Sequence, residues 1–320
     1  MGLSQSDINA LAAAFRAGLS NTEVAKRCKI NRKTADYWRI KLGFDKSGPK
    51  AIKMPVAETR ILPWWHSYGI QHDDEEKLIL SRLPDKVMCF GDMQAPKHHQ
   101  DTLAFLTAVI ARHKPDAFVM MGDEADLTGL KKAFMTPEDL GPSQELEQAI
   151  EFMHELFKIV PEAIALTSNH VEGRLAYAQG QGNIPNLLMR KWSEVIGAPK
   201  GWIWRDYLLW DRWLLEHGHK ITKGSRPNLL EGTAKRFNRH LSIMRGHHHS
   251  ELGEHLKPVW MPGYWQARQC FTGCLMDYRK AGYSRNAVMV GCVVLDKGVP
   301  HVIPMPVDEK NRWTGKLIEA

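Results

Sequence analysis

Aspartate, asparagine and histidine recur from residue 86 onward, each time at the end of a short apolar run. The runs are "KVMCFGDMQ", "DAFVMMGDEAD", "EAIALTSNH", "RWLLEHGH" and "HLSIMRGHHH". They deliver Asp92 and Gln94, Asp123 and Asp126, Asn169 and His170, His217, and finally His247 and His249. Carboxylate, carboxamide and imidazole groups without a thiolate are the donors that divalent manganese, iron or zinc accept. One such residue at the end of a run is ordinarily structural. Five successive run ends are hard to attribute to packing. Within "GHHHS", side-chain alternation along an extended segment sends His248 away from its neighbours, so the stretch reads as G-H-x-H.

These residues need elements to hold them in one place. Each run has strand length, and helical periodicity fills the early gaps near 100–113 and 144–159, so the first three strands alternate with helices as βαβ units. Open α/β sheets collect functional groups at the carboxyl ends of their strands, which is where these side chains fall. The tryptophan-rich "GWIWRDYLLWDRW" alternates as strands of a second sheet with aromatics facing the core. Base stacking by exposed tryptophans is the alternative use.

Taken in order, "GD", "GDEAD", "NH", "HG" and "GHHH" resemble the calcineurin-like metallophosphoesterase superfamily, whose pattern is D-x-H, G-D-x-x-D, G-N-H, H-G and G-H-x-H. The resemblance spans residues 86–300. It implies two packed sheets flanked by helices around a dinuclear centre. Asp123 would bridge two metals, Asp92 and His249 would complete one site, and Asn169, His217 and His247 the other. His170 would protonate the leaving oxygen or stabilise the charged transition state, and Asp126 would orient His170 or a metal ligand. Two divalent ions, Mn2+ first with Fe2+ or Zn2+ as alternatives, would generate hydroxide for in-line attack on phosphorus. Two positions depart from the pattern: Gln94 stands in place of histidine and Ser168 in place of glycine. A carboxamide binds transition metals more weakly than imidazole, so the Asp92 metal is expected to be the looser one. His98 or His99 would lean in as a substitute, or meet phosphate or solvent.

Charge sets the first fifth of the chain apart. Residues 1–60 hold 12 Lys/Arg and 5 Asp/Glu, which accounts for the whole net charge of +7. A basic front piece on a neutral body points to a polyanion. Apolar spacing predicts helices near 5–16, 21–28 and 32–42, with Ser20 or Asn21 capping the second and Asn31 the third. The stretch "NTEVAKRCKINRKTADYWRI" resembles a helix-turn-helix, which would present Arg32, Lys33, Tyr37 and Lys41 to a DNA groove. Lys29 occupies a turn position where glycine is frequent. A helical bundle for oligomerisation is the other reading. Near the site, Lys235, Arg236, Arg239 and Arg245 suit a phosphate backbone or a solvated charged face.

The expected architecture is an α/β two-sheet βαβ metallophosphoesterase sandwich flanked by helices, preceded by a small all-α helix-turn-helix domain. Its parts are the front module 1–46, a linker and docking segment 47–84 in which Trp64 and Trp65 pack onto the large domain, the phosphoesterase domain 85–307 and a tail 308–320. No run approaches the ~18–20 apolar residues of a membrane span. Five cysteines without a CxxC pair suggest reduced thiols, and the expected compartment is the cytoplasm. "MGLSQS" fits a myristoylation pattern at Gly2 and Ser6 that is common by chance. The expected function is a DNA-directed phosphodiesterase or nuclease, with DNA as partner and a homodimer admissible. The alternatives are a phosphomonoesterase for a small molecule, nucleotide or phosphoprotein, and a DNA-binding regulator with a degenerate phosphoesterase domain.

Overall fold

A computed structural model describes residues 5–16, 19–42, 63–130, 140–185, 189–219, 236–247, 249, 265–268 and 290–318. His248, Lys235 and Gly2 lie outside the described residues, as does the side chain of Ser6. The chain divides into two compact units, Met1–Ile61 and Leu62–Ala320.

The first unit contains helices α1 (Gln5–Arg16), α2 (Asn21–Arg27) and α3 (Arg32–Lys41). Leu11, Ala14, Phe15, Val24, Ala25 and Ala35 form its core, with Ile30 and Trp38 packed against it. Ser20 caps α2 in a reciprocal capping box with Glu23, which satisfies backbone donors at both positions. Asn31 accepts the Thr34 N–H at 2.7 Å and so starts α3. Between the helices Lys29 takes φ +52°, a left-handed conformation that a Cβ disfavours.

The second unit is built on two six-stranded sheets. In the first, strands β3 (Lys86–Phe90), β4 (Ala117–Met120), β5 (Ala163–Leu166) and β6 (Trp202–Arg205) run parallel. The antiparallel pair β11 (Gly291–Asp296) and β12 (Val299–Pro304) extends the β3 edge. Helices α4 (Thr102–His113) and α5 (Pro142–Ile159) form the first two crossovers, and α6 (Glu172–Gly182) and α7 (Trp192–Val195) lie between β5 and β6. The second sheet has the order β1 (Ile70–Asp73), β2 (Lys77–Leu80), β7 (Tyr207–Trp210), β8 (Trp213–Glu216), β9 (Ser242–Arg245) and β10 (Gln266–Arg268).

Strand alternation sorts the core into layers. Val87 and Cys89 of β3 join Val119, Leu208, Trp210, Trp213 and Leu215 in one cluster shared by the two sheets. Met88 and Phe90, one residue out of phase, join Phe105, Leu106, Phe152 and Met153 of α4 and α5. Each fully buried side chain of this size contributes roughly 1.5–3 kcal/mol. A period-two apolar strand therefore fixes which way its terminal residues face.

Three features differ from the sequence reading. Part of the stretch read as linker and docking segment supplies β1 and β2, which pair with each other, β2 pairing in turn with β7. Trp64 and Trp65 do pack there: Trp65 is buried and Trp64 stacks on Trp210 with ring centres 5.5 Å apart. The stretch "GWIWRDYLLWDRW" serves both sheets, because β6 ends the first and β7–β8 forms an antiparallel pair in the second. The tail is anchored, since Arg312 meets both Asp101 oxygens at 2.9 and 2.6 Å and the Trp313 N–H donates to Asp101 at 2.8 Å. No helix among the described residues is long and apolar enough to cross a membrane.

Candidate metal centre

The loops leaving β3 and β4 are joined by backbone hydrogen bonds beyond the end of regular strand pairing. Asp92 N–H donates to Gly122 O at 2.8 Å, Gln94 N–H to Asp123 O at 2.7 Å, and Ala95 N–H to Glu124 O at 3.0 Å. This zipper sets the spacing of Asp92, Gln94 and Asp123. Their backbones are left-handed, with φ of +50°, +49° and +52°, and His247 follows at +67°. Such conformations cost of order 1–3 kcal/mol each and persist where surrounding structure over-determines them. Gly122, at φ +91°, permits the closest approach: a Cβ there would lie 2.7 Å from Leu166 O and 3.0 Å from His217 Nδ1.

Two donor clusters result, and both contain Asp123. Asp123, His217 and His247 form one and Asp92, Asp123 and His249 the other, with the donor atoms of each within 4.8 Å of one another. Asp92 and Asp123 are fully buried and His217 is almost so. His217 presents its Nδ1 to the Met121 carbonyl at 2.8 Å, which leaves Nε2 facing Asp123 Oδ2 at 3.2 Å and Asn169 Oδ1 at 2.9 Å. A metal-binding histidine is normally oriented by such a carbonyl contact on its other nitrogen. Gln94 lies at the second cluster, its Nε2 3.3 Å from His249 Nε2 and 3.5 Å from Asp123 Oδ2. The His247 N–H donates to Asp92 Oδ1 at 2.7 Å, tying the β9 loop to the β3 loop. All seven sequence-derived ligand residues are thereby brought together, and their donor chemistry fits divalent metal ions.

Electrostatics couples these groups. Burial alone would raise the Asp123 pKa, but the charges of His170, His217 and His247 outweigh it and hold the carboxyl well below its ordinary value. Burial would lower His217, and the Asp123 charge and hydrogen bond reverse this, pushing it up to about 9. Beside the clusters, His170 Nδ1 meets Asp126 Oδ1 at 2.8 Å, and its N–H donates to Asp123 Oδ1 at 3.1 Å. Asp126 is buried, yet contacts from His170, Arg174 and Lys97 keep its pKa far below the usual carboxylate range. On the other side Glu124 accepts from Trp204 Nε1 at 2.9 Å. Glu172 accepts the Ser168 N–H at 2.7 Å, and burial together with the Glu124 charge raises its pKa to about 8.

Several residues do not take the positions that sequence reasoning offered them. His98 packs its ring on Phe152 with centroids 4.0 Å apart, and burial lowers its pKa to about 4. His99 Nδ1 accepts the Asp101 N–H at 3.1 Å in the turn before α4. Neither histidine is in the metal-ligand clusters found among the described residues. Arg245 is not available to a phosphate backbone: it is 1% exposed and bonded through Nε and Nη2 to Glu216 Oε1, the former at 2.9 Å. Arg236 Nη1 also reaches Glu216, at 3.2 Å, and Arg239 donates to the Asp211 carbonyl. In the first unit Arg32, Lys33, Tyr37 and Lys41 are exposed on α3, Tyr37 by 56%.

Sequence reasoning missed Lys97 and Arg174. Lys97 Nζ lies 2.9 Å from Asp126 Oδ2, and Arg174 Nη1 lies 3.0 Å from Asp126 Oδ1. The available signal was proximity in sequence, because Arg174 lies four residues after His170, in the first turn of α6.

No protein-family model matches the chain, and no curated protein matches it. Solved structures similar to it include vacuolar protein sorting 29 from Cryptosporidium parvum, at 13% identity and TM-score 0.43, covering 74% of this chain and 96% of that one. Chaetomium thermophilum Vps29 is similar at 9% identity and TM-score 0.39, covering 73% and 96%. The Escherichia coli phosphoesterase Yfce is similar at 12% identity and TM-score 0.33, covering 73% and 98%. At these identities and scores the likenesses decide nothing about activity, and the chemistry rests on the residues themselves.

Proposed function

We propose that this chain is a metal-dependent phosphoesterase of the calcineurin-like kind, that its substrate is DNA, and that its first unit is a helix-turn-helix that holds the DNA. The observation that carries the reading is the buried Asp123 carboxylate shared by two donor clusters, with a histidine–aspartate pair directly beside it. Asp123 has two oxygens and belongs to both clusters, so the two together would hold two divalent cations. Divalent ions bound there, Mn2+ first, would supply a water acidified toward neutrality and would offset the charge of phosphate oxygens.

The chain's own groups do the remaining work. Asp126 fixes the His170 ring through Nδ1, so Nε2 is the nitrogen directed toward Asp123 Oδ2, 3.9 Å away. From there it serves the leaving oxygen of a phosphate ester as proton donor or as a stabiliser of developing charge. Glu172 and Ser168 hold the turn that presents Asn169 and His170. Support for DNA comes from the first unit: all the excess positive charge lies in residues 1–60, and Arg32, Lys33, Tyr37 and Lys41 stand exposed on α3.

The test is cleavage by the full chain with Mn2+, comparing single-stranded DNA, duplex DNA, RNA and chromogenic mono- and diesters, with His217→Ala as control. DNA cleavage that disappears in the control supports the reading. Monoester turnover far above diester turnover would make it a phosphatase located by its first unit. DNA binding that survives Asp123→Ala, with no metal-dependent cleavage by the parent, would make it a binding regulator. Bound Mn2+ with no substrate cleaved would overturn the mechanism.

A further inference from the structure

Arg174 is clamped along one edge of its guanidinium. Its Nη1 donates to the Asp126 main-chain oxygen, to Asp126 Oδ1 at 3.0 Å and to Thr128 Oγ1 at 2.8 Å. The other edge faces the site, with Nη2 3.3 Å from His170 Nε2. That His170 nitrogen is in turn 3.9 Å from Asp123 Oδ2, at the carboxylate shared by both clusters. Two nitrogens 3.3 Å apart can share one oxygen at ordinary hydrogen-bond lengths of ~2.8–3.0 Å, the three atoms forming a nearly equilateral triangle. The Arg174 side chain is 11% exposed, so it is largely desolvated but reachable. A planar guanidinium held along one edge is suited to a phosphate oxygen, since little rotamer freedom remains to be lost on binding.

Resting on the phosphoesterase reading above, we propose that Arg174 is a substrate-binding residue whose Nη2 donates to the same phosphate-group oxygen that His170 Nε2 serves. Lys97 belongs to the same device as a positioning residue. Its contact with Asp126 Oδ2 at 2.9 Å and the Thr128 hydroxyl on that same oxygen hold the carboxylate that clamps Arg174. The ligand class is a tetrahedral phosphate bearing at least one non-bridging oxygen, whether monoester or diester.

The experiment uses the full chain loaded with Mn2+ and inorganic phosphate as probe, with affinity read by calorimetry and turnover read on a chromogenic ester. Arg174→Gln is expected to weaken phosphate at least tenfold and to raise KM by a similar factor, with bound Mn2+ unchanged. Arg174→Lys keeps the charge without the fork and is expected to recover part of that loss. Parental phosphate affinity and KM in both variants would overturn the inference and leave Arg174 as an anchor for Asp126. Should the glutamine variant not fold, Arg174→Lys decides alone: a severalfold loss of phosphate affinity supports the inference and none overturns it. A parent chain that binds Mn2+ but neither phosphate nor any ester overturns the proposed function itself, an outcome distinct from an unaffected variant of an active parent.

Discussion

Removing Arg245 is expected to damage the second sheet more than any exposed arginine would, and the structure sets the size of the effect. Arg245 and Glu216 are paired across parallel strands β9 and β8, on the last rung before His217 and Gly246. Arg245 is 1% exposed and Glu216 5%, so deleting one partner leaves the other charged and out of water. Breaking a buried pair in this way costs about 3–5 kcal/mol. Arg236 still reaches the second Glu216 oxygen at 3.2 Å, which places Arg245→Met near the lower end, about 3 kcal/mol. Glu216→Leu strands Arg245 in turn and is expected to cost about 3–5 kcal/mol. The double variant removes both charges from the interior and should lie within about 1 kcal/mol of the parent, since well-packed apolar replacements of buried pairs are commonly neutral. Urea unfolding followed by tryptophan fluorescence reads this directly, because Trp210 and Trp213 are buried in the adjoining strands. If the two single costs simply add in the double variant, or if neither single exceeds about 1 kcal/mol, the reasoning about this pair is wrong.

Other outcomes follow from the site and from the first unit. Gly122→Ala combines a strained φ with a Cβ 2.7 Å from Leu166 O and 3.0 Å from His217 Nδ1. It should cost at least about 2 kcal/mol and weaken Mn2+ binding, and parental melting and Mn2+ titration curves would refute it. His217, raised to about 9 by Asp123, stands above its unfolded value of ~6.5. Its favourable contribution is full below ~6.5 and is lost as pH rises through about 9. A metal must displace that proton, so Mn2+ affinity should fall roughly tenfold per pH unit below about 9, and calorimetry showing a pH-independent affinity would contradict this. Gln94→His should tighten the Asp92 cluster, more for Zn2+ than for Mn2+; a parent with two equally tight Mn2+ sites would remove the premise. Lys29→Gly relieves a φ of +52° and should stabilise the first unit by about 0.5–1 kcal/mol, visible as slower amide exchange across α2 and α3 in the full chain.

Much of the candidate centre was legible because its residues sit at the ends of apolar runs, where a strand's direction and its terminal side chains are tied together. The clustering of Asp92, Asp123, Asn169, His217, His247 and His249 needed only that these strands share one end. What escaped depends on partners far away in the chain. Arg245 looked like one more surface cation, because its partner Glu216 lies 29 residues earlier and on a different strand. The "GWIWRDYLLWDRW" alternation reads as strands, but nothing in its period says that Asp206 divides two sheets. Strands β1 and β2 are four residues each; β1 is mostly exposed, and the alternation in β2 that buries Leu78 and Leu80 is too short to stand out beside the polar residues before it. Arg174 and Lys97 carry no motif; they matter through Asp126, which only the folded arrangement places between them.

The zipper between the β3 and β4 loops has a consequence for how such a centre can change over generations. Its hydrogen bonds run from main chain to main chain, so they are indifferent to which side chain stands at position 94. A histidine exchanged for glutamine there leaves the scaffold as it was and alters only the donor it holds out. The centre behaves like a socket with a replaceable contact: its choice of ion can be retuned by one codon, with no relearning of the fold.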